Sequence, residues 1–360
     1  MTEEQTYIVR LYFSKSIRIG SAKSGIGIES VQDFIHSDTL WAAIANYWSL
    51  IGKAGDLTFD DFLNGFRMKT ALGNESVSEP LFTMSSAFPF TLSGRKRIYW
   101  LPKPRSVPFC LSVDNAINRA EQKKKYGKIF RHARFISKDV FMKWLAFNSE
   151  FGSSIEIEEM IGISSRSLRP QAAIDRPSNK AMLYHTGLTY IEHQNKSFGL
   201  YWLFKTADKR VEQALKEVLD VIRDAGGIGG NISSGCGELY HYEISKADDS
   251  WNFLHTTSDA NACCLLSLCY PLADERSLMN PIAADLVIRK GWTGSLVTGL
   301  RKKRQTISMI AEGSVFAKSM QGGIADVTPD PVKTPEWRGF HPVLRYGYAF
   351  TVPIKLNFKD

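Results

Sequence analysis

The sequence has 360 residues and is 44% hydrophobic, which is enough to bury the core of one large domain or of two medium-sized ones. Its 45 Lys and Arg exceed its 37 Asp and Glu, which gives a formal net charge of +8 at pH 7. No stretch approaches the ~18–20 uncharged apolar residues of a membrane span, and the acidic start lacks the basic region of a signal peptide, so we expect a cytoplasmic protein.

The first elements in chain order are a strand, a loop and a helix. Residues 7–14 (YIVRLYFS) alternate between apolar and polar positions, as in a half-buried strand, and the loop that follows contains three glycines and Arg18. The stretch HSDTLWAAIANYW (36–48) predicts the start of a helix, for which Ser37 or Asp38 can supply the cap.

Positive charge is concentrated in a segment beyond this helix. Between Arg95 and Lys138, 13 Lys and Arg accompany only two acids, so this segment carries +11 and the rest of the chain −3. Aromatic residues are interleaved with the charges, as on a surface that stacks bases and binds phosphates. The pattern favours a polyanionic partner, and the alternative is a basic insertion with no dedicated partner.

A second helix and a glycine-rich loop come next. Residues 211–224 place apolar side chains on one helical stripe, the loop GGIGGNISSGCG (226–237) follows, and ELYHYEIS (238–245) has strand propensity. The order of elements predicts an α+β fold, with a ferredoxin-like βαββαβ unit in residues 1–248 that has an elaborated middle. A second, degenerate unit of the same class is expected in residues 249–360.

The glycine loop fits neither phosphate-binding pattern of nucleotide enzymes. It has no lysine, which a Walker A loop needs, and Ile232 stands where a dinucleotide fingerprint needs its last glycine. The loop also follows a helix, whereas both patterns precede one. We therefore expect no nucleotide cofactor but a clamp on an RNA backbone, with a plain glycine-rich turn as the alternative. The expected donors are the amides of Gly229, Gly230 and Asn231 and the hydroxyls of Ser233 and Ser234.

Two further clusters allow more than one interpretation. The residues HSDT (36–39) are typical of helix capping with an incidental RNA contact, whereas His36 could instead be a general acid/base for RNA cleavage. The run RKKR (301–304) is either a solvated face or a contact with RNA or a partner through Lys302 and Arg304. The other histidines lack metal-binding spacing and the five cysteines form no CxxC pair, so we expect buried thiols and no metal.

Several motifs occur in an order that resembles one family. They are HSDTL (36–40), WLPKP (100–104), the arm around IDR (174–176), the loop GGIGGNISSGCGEL (226–239), IRKGW (288–292), RKKRQTISMIAEGSVF (301–316) and HPVLRYGYAFTVP (341–353). Together they span nearly the whole chain and resemble the RAMP-superfamily subunits of type III-A (Csm) CRISPR effector complexes. Within that family, the resemblance is to the subunit that caps the 5′ tag of the guide RNA.

The resemblance implies two fused ferredoxin-like (RRM-like) domains, a β-hairpin thumb on the first, and no catalytic role. It implies a subunit that holds the 5′ tag of the guide RNA, meets target RNA through the thumb, docks the large polymerase-palm subunit and seeds the row of RAMP backbone subunits. The alternatives are a RAMP endoribonuclease that processes guide-RNA precursors through His36, and a scaffold that touches only proteins. The candidate RNA contacts are Arg18, His36, Ser37, Arg169, Arg176, Gly229, Gly230, Asn231, Ser233, Ser234, Lys302 and Arg304.

Overall fold

The computed structural model describes residues 4–20, 30–70, 73–93, 96–107, 133–147, 165–178, 180–190, 192–193, 196–293, 299–337 and 340–357. The α-helices in these ranges are α1 (Ser37–Ile51), α2 (Phe59–Asn64), α3 (Lys138–Leu145), α4 (Arg210–Ala225) and α5 (Ala273–Leu278). No helix within these ranges is long and apolar enough to cross a membrane.

The strands are numbered in chain order. Those in the first part of the chain are β1 (Gln5–Phe13), β2 (Ser16–Ile17), β3 (Ile19–Gly20), β4 (Val31–Gln32), β5 (Lys53–Ala54), β6 (Leu57–Thr58), β7 (Arg67–Thr70), β8 (Gly73–Ser76), β9 (Thr83–Met84), β10 (Phe88–Ser93), β11 (Lys96–Pro102), β12 (Phe135–Ser137), β13 (Ser165–Ile174), β14 (Ala181–Tyr190), β15 (Glu192–His193), β16 (Lys196–Thr206) and β17 (Leu239–Lys246). Those in the second part are β18 (Ala262–Leu265), β19 (Pro281–Ala283), β20 (Leu286–Arg289), β21 (Ile307–Ile310), β22 (Val315–Phe316), β23 (Ala325–Asp326), β24 (Leu344–Arg345) and β25 (Thr351–Ile354).

The largest sheet has the order β12-β11-β10-β16-β1-β17, and all neighbours in it are antiparallel. Strand β1 leads into α1, and β16 leads through α4 to β17, which returns to the other edge of β1. Strands β1, β10, β16 and β17 with these two helices therefore have the element order predicted for the first βαββαβ unit. The additional strands come from the elaborated middle.

Strand β1 separates two hydrophobic cores. Tyr7, Val9 and Leu11 pack beneath α1 and α4, whereas Ile8 faces a second core on the opposite side of the sheet. The prediction of a half-buried strand was therefore wrong, because nearly every residue of β1 is buried. The second face is covered by residues of the later chain, including those of β18 and β25. Helix α4 buries the stripe predicted for it: Val211, Ala214, Leu215, Val218, Leu219 and Ile222.

The second part of the chain contains a smaller antiparallel sheet, β19-β22-β18-β25. Cys264, Leu266 and Phe350 from this part share a core with Tyr201 and Leu203 of the large sheet. Within its described residues this part has one α-helix, α5, so they contain no complete second βαββαβ unit. The boundary between residues 1–248 and 249–360 stays a prediction.

Strands β13 and β14 form a long antiparallel hairpin, which we call the thumb hairpin. Its pairing runs from Ser165 opposite Tyr190 to Ile174 opposite Ala181, and the turn between the strands contains Pro177 and Ser178. Near its base, β14 also pairs with β2. Many side chains of the hairpin are exposed, and the large apolar ones among them are Leu168, Ile174, Met182, Leu183 and Tyr190.

Candidate nucleic-acid interface

The two ends of the glycine loop are joined by a hydrogen bond between their backbones. The amide of Ile228 donates to the carbonyl of Gly237 over 2.9 Å. A Cβ on Gly237 would lie 2.1 Å from the carbonyl oxygen of Ile228, and a Cβ on Gly227 would lie 2.0 Å from that of Gly237. Any side chain at these two positions would push the two ends of the loop apart, so both glycines are needed to keep the ends in contact.

The tip of the loop is a short turn that faces solvent. Asn231 has a left-handed backbone with φ 59°, and a 3₁₀ turn at Ile232–Ser234 follows it. The amide of Ser234 donates to the carbonyl of Asn231 over 2.9 Å. Ser233 and Ser234 are exposed, and among the described residues their hydroxyls have no hydrogen-bond partner. The tip therefore presents two hydroxyls to solvent, and their contact with RNA stays a prediction.

One of the three predicted amide donors is already used. The amide of Gly230 donates to the carbonyl of Arg18 over 2.9 Å, so the prediction that it binds a phosphate was wrong. A Cβ on Gly229 would lie 2.8 Å from the same carbonyl, and a Cβ on Gly230 would lie 2.8 Å from Nη1 of Arg18. The guanidinium of Arg18 therefore lies beside the loop and supplies the positive charge that the loop itself lacks.

His36 and Ser37 are structural residues, which corrects the prediction that they contact RNA. Both are buried, and Nδ1 of His36 is 2.7 Å from Oε1 of Glu312. The hydroxyl of Ser37 accepts from the amide of Leu268 over 3.1 Å, and its own amide donates to Ser86. These bonds join the start of α1 to the later part of the chain, so neither side chain is available at the surface.

Asp38 also does not cap α1, contrary to the sequence prediction. The helix has His36 at its N-cap position without a side-chain cap bond, and the carboxylate of Asp38 binds two arginines instead. Arg289 donates to both of its oxygens over 2.9 Å, and Arg345 donates through Nη1. Burial alone would raise the pKa of Asp38, but the two guanidiniums outweigh it and hold this pKa well below its usual range.

The thumb hairpin exposes two of the predicted cations. Arg169 lies on β13 opposite Thr186, and Arg176 lies in the turn. Both are exposed, and neither forms an ion pair with any residue in the described ranges. At the base of the hairpin, Arg166 is bound to Asp33 over 3.1 Å instead. The two outer arginines are therefore free to meet an anion.

The run RKKR does not act as one patch. Nζ of Lys302 is 3.0 Å from Oε1 of Glu336, and Lys303 lies over the ring of Trp292. Arg304 turns inward and lines a pocket beside α1. The structure therefore does not bring Lys302 and Arg304 to the glycine loop, and their role as RNA contacts stays a prediction.

The basic segment falls largely outside the described ranges, since residues 119–132 are not among them. At its end, Nη1 of Arg134 is 3.4 Å from Asp33, and its guanidinium lies 4.3 Å from the ring centre of Phe34. Nζ of Lys138 donates to Ser250 over 2.7 Å. These last two cations of the segment are thus part of the folded structure.

The cysteines of the described ranges are buried free thiols: Cys236, Cys263, Cys264 and Cys269. Burial raises the pKa of the Cys263 thiol to about 11. Cys110 lies outside these ranges. No group of three or more His, Cys, Asp or Glu that could hold a metal ion occurs in the described part of the chain.

Sequence reasoning did not find Glu312, Asp33, Arg289 or Arg345 as functional neighbours of the motifs. Asp38 and Arg345 are 307 residues apart, and His36 and Glu312 are 276 apart. Hydrophobic periodicity relates residues only within one helix or strand, so it cannot indicate contacts between residues this far apart in the chain. The placement of HSDTL and IRKGW among the ordered motifs was the only indication that these two stretches act together.

Comparison with known proteins gives matches in both parts of the chain. Residues 16–240 match the RAMP superfamily, and residues 258–354 match the CRISPR Csm4 C-terminal domain. The chain is 24% identical over 254 residues to the "CRISPR system Cms protein Csm4" of Streptococcus thermophilus. That match covers 70% of this chain and 76% of the relative.

Solved structures share the fold. A chain of the Csm3-Csm4 subcomplex in the type III-A CRISPR-Cas interference complex has a TM-score of 0.59 at 16% identity, covering 97% of this chain and 100% of that chain. A chain of the Csm1-Csm4 cassette in complex with AMPPNP has a TM-score of 0.55 at 18% identity, covering 99% of each. Because the RAMP match extends over more than half of the sequence, the chain belongs to the RAMP superfamily, and its resemblance to the type III-A Csm subunits is confirmed.

Proposed function

We propose that the chain is a non-catalytic RNA-binding subunit of a type III-A CRISPR interference complex in the cytoplasm, and that it holds the repeat-derived 5′ tag of the guide RNA. The observation that carries the proposal is the exposed loop tip with the Arg18 guanidinium beside it. Hydroxyl donors and one fixed cation suit a sugar-phosphate backbone that must be gripped at close range. The glycines at the closure of the loop keep this surface small enough for such an approach.

The thumb hairpin supports a second part of the proposal, the contact with target RNA. Arg169 and Arg176 are exposed without ion pairs to the described residues, and the apolar side chains of Ile174, Met182 and Leu183 are more than three-fifths exposed. A cation can hold a phosphate while an apolar side chain inserts beside an unstacked base. A hairpin with both features is therefore suited to a guide–target duplex.

The protein partners that we propose are the large polymerase-palm subunit and the RAMP backbone subunit. The similar solved structures are of a Csm1-Csm4 cassette and a Csm3-Csm4 subcomplex, and this chain shares their fold. We further propose that both parts of the chain are ferredoxin-like (RRM-like). The strand order of the first supports this, and the second would be a reduced version that keeps mainly its sheet.

The buried position of His36 favours this proposal over the endoribonuclease. A general acid or base must come within hydrogen-bond reach of the proton that it transfers. The His36 ring is enclosed, and one of its nitrogens is held by Glu312 over 2.7 Å. We therefore expect the wild-type chain to leave repeat RNA intact without metal, and metal-independent cleavage lost in His36→Ala would reverse the assignment.

The test of tag binding uses the full chain and RNA that begins with the repeat-derived tag of its own array. We expect Arg18→Gln to weaken binding about tenfold and to reduce the slope of affinity against salt by about 0.7, the value for one phosphate contact to single-stranded RNA. Gly230→Asp should weaken it further, because the new carboxylate would lie beside Arg18 and repel the phosphate. The double change of Ser233 and Ser234 to Ala should weaken binding less.

The matched control is Lys318→Gln, which also removes one positive charge but at an exposed residue outside the proposed RNA contacts. It should leave tag affinity within about twofold, since it changes only the overall charge of the chain. Equal losses in Arg18→Gln and Lys318→Gln would mean that only overall charge matters. Unchanged affinity in Gly230→Asp would remove the glycine loop from the binding site, and no salt-dependent binding at all would favour the scaffold.

A further inference from the structure

A pocket of about 450 Å³ lies between α1, α2 and the segment that leads into β24. Its walls are mainly apolar, and their largest apolar members are Trp41, Phe59, Leu63, Pro342, Val343 and Leu344. This volume is in the range of small-molecule sites, and the pocket is separate from the glycine loop and the thumb hairpin. It is therefore a concave feature that the glycine loop and the thumb hairpin do not use.

Arg304 brings an unpaired positive charge to this pocket. Its Nε atom is inaccessible to solvent, and its guanidinium makes no hydrogen bond or ion pair with any residue of the described part of the chain. Burial, with repulsion from Arg345 and Arg289, lowers the pKa of Arg304 to about 10. A charge withdrawn from solvent ordinarily has a partner, whereas this partly buried guanidinium has no counter-charge among the described residues.

Neither of the two acids on this side of the molecule supplies that counter-charge. Asp60, which also lines the pocket, is exposed and forms no ion pair with Arg304 among the described residues. Asp38 accepts from Arg289 through both oxygens and from Arg345 through one, so its carboxylate is already shared by two guanidiniums. Three arginines thus surround one carboxylate, which leaves an excess of positive charge in the interior. The indole Nε1 of Trp41 is a further buried donor with no partner in the described residues. Both orphaned donors, Arg304 Nε and Trp41 Nε1, belong to residues that line the pocket.

We propose that this pocket binds a carboxylate carried on an apolar body. The planar guanidinium of Arg304 matches the geometry of a carboxylate, and the surrounding aromatic and aliphatic walls suit an apolar group attached to it. One unpaired cation balances a monoanion, because Arg67, the other arginine of the wall, is already 3.7 Å from Asp326. The ligand is either a free carboxylic acid or the free carboxyl end of an apolar protein segment, and the site does not depend on the proposed RNA role.

The test measures binding of 2-naphthoate and of its uncharged counterpart 2-naphthamide to the full chain by calorimetry. The wild-type chain should bind the naphthoate at least about tenfold more tightly than the amide, since the charge-assisted bond is made only by the acid. Arg304→Gln should abolish that difference. Lys303→Gln, which removes the neighbouring exposed charge, should preserve it.

A second arm identifies the source of the carboxylate. The apolar tripeptide Phe-Leu-Val is compared with and without C-terminal amidation in the same titration. Tighter binding of the free-acid peptide than of the naphthoate assigns the site to a protein segment, and the reverse order assigns it to a small acid. Either order supports the proposal. Equal binding of naphthoate and naphthamide, an unchanged difference in Arg304→Gln, or no binding of any probe at millimolar concentration would overturn it.

A stability measurement separates a binding role of Arg304 from a structural one. Removing an unpaired buried charge should leave the melting temperature of the unliganded chain unchanged or raise it, and naphthoate should raise it in the wild type only. If Arg304→Gln fails to fold, Ala45→Phe provides the test, because the added ring fills the pocket from α1 and keeps the guanidinium. Retained naphthoate binding in Ala45→Phe would then refute the site.

Discussion

At the scale of single residues, Asp38 stands at a helix start, where an acid ordinarily caps the first turn. Its carboxylate is instead used by Arg289 and Arg345, and the helix begins without a side-chain cap. The sequence predicted the start of α1 correctly because the apolar period of a helix is a local signal. It could not predict the use of Asp38, because both arginines are more than 250 residues away in the chain.

We expect Asp38→Asn to lower the free energy of unfolding by about 3–5 kcal/mol, because it leaves two buried guanidiniums without a counter-charge. The matched control is Asp259→Asn, which removes an exposed ion pair with Lys355. The backbone at this position has φ 55°, which asparagine adopts readily. It should cost no more than about 1 kcal/mol. Denaturant titration of both variants gives the comparison, and similar losses would show that the Asp38 cluster stabilises no more than a surface pair.

The same cluster has a pH dependence of known sign. The pKa of Asp38 is lowered in the folded state, so its contribution to stability is complete above its usual pKa near 3.8 and declines as the pH falls below that value. Glu312 acts in the same direction, since His36 and Ser86 lower its pKa despite burial. Denaturant titration between pH 6 and pH 3 should therefore show a steeper acid loss in the wild type than in Asp38→Asn, and parallel curves would contradict this assignment.

At the scale of elements, helices α1 and α4 follow from periodicity and the thumb hairpin was implied by the family resemblance, whereas neither indicated what the glycine loop contacts. The sequence predicted a loop that lets a backbone come close, and it assigned Gly229 and Gly230 to RNA. Gly227 and Gly237 instead let the loop close on itself, and Gly230 bonds to Arg18. A glycine-rich pattern reports that something approaches closely, but it does not identify what approaches.

Two glycines of the loop with similar backbones separate steric from conformational effects. Gly235 has φ 78° with no atom within 4 Å of its Cβ position, and Gly237 has φ 73° with the Ile228 carbonyl 2.1 Å away. Gly235→Ala should cost about 1–2 kcal/mol of unfolding free energy for its left-handed backbone alone. We expect Gly237→Ala to cost clearly more and to weaken tag binding as well. Equal losses by denaturant titration would mean that the loop can open without penalty.

At the scale of the whole molecule, charge and packing are distributed differently. The sequence placed the entire excess of positive charge in one segment, and most of that segment lies outside the described residues. Packing, in contrast, joins both parts of the chain, since residues such as Phe350 and Tyr201 share one core. Residues 7–13 (YIVRLYF) form a nearly continuous apolar run, as in a strand buried on both faces, but the run does not identify the later residues that cover the second face.

The basic segment gives a prediction about the whole complex with RNA. Replacing the six Lys and Arg of residues 119–131 by Gln should flatten the dependence of tag-RNA affinity on salt, by about 0.7 for each phosphate that these side chains no longer neutralise. Replacing the exposed Lys209, Lys318 and Lys333 is the control and should leave the slope nearly unchanged. A slope that is unaltered in the first variant would assign the segment to protein contacts.

One short stretch ties the proposed RNA contacts together. Ile17 in β2 pairs with Thr189 at the base of the thumb hairpin, while the carbonyls of its neighbours Ser16 and Arg18 accept hydrogen bonds from the glycine loop. Three consecutive residues therefore contact both the glycine loop and the thumb hairpin, and they fix the spacing between the two. Insertions elsewhere in the elaborated middle can change length without altering that spacing, so the distance from the glycine loop to the thumb hairpin is set by residues 16–18.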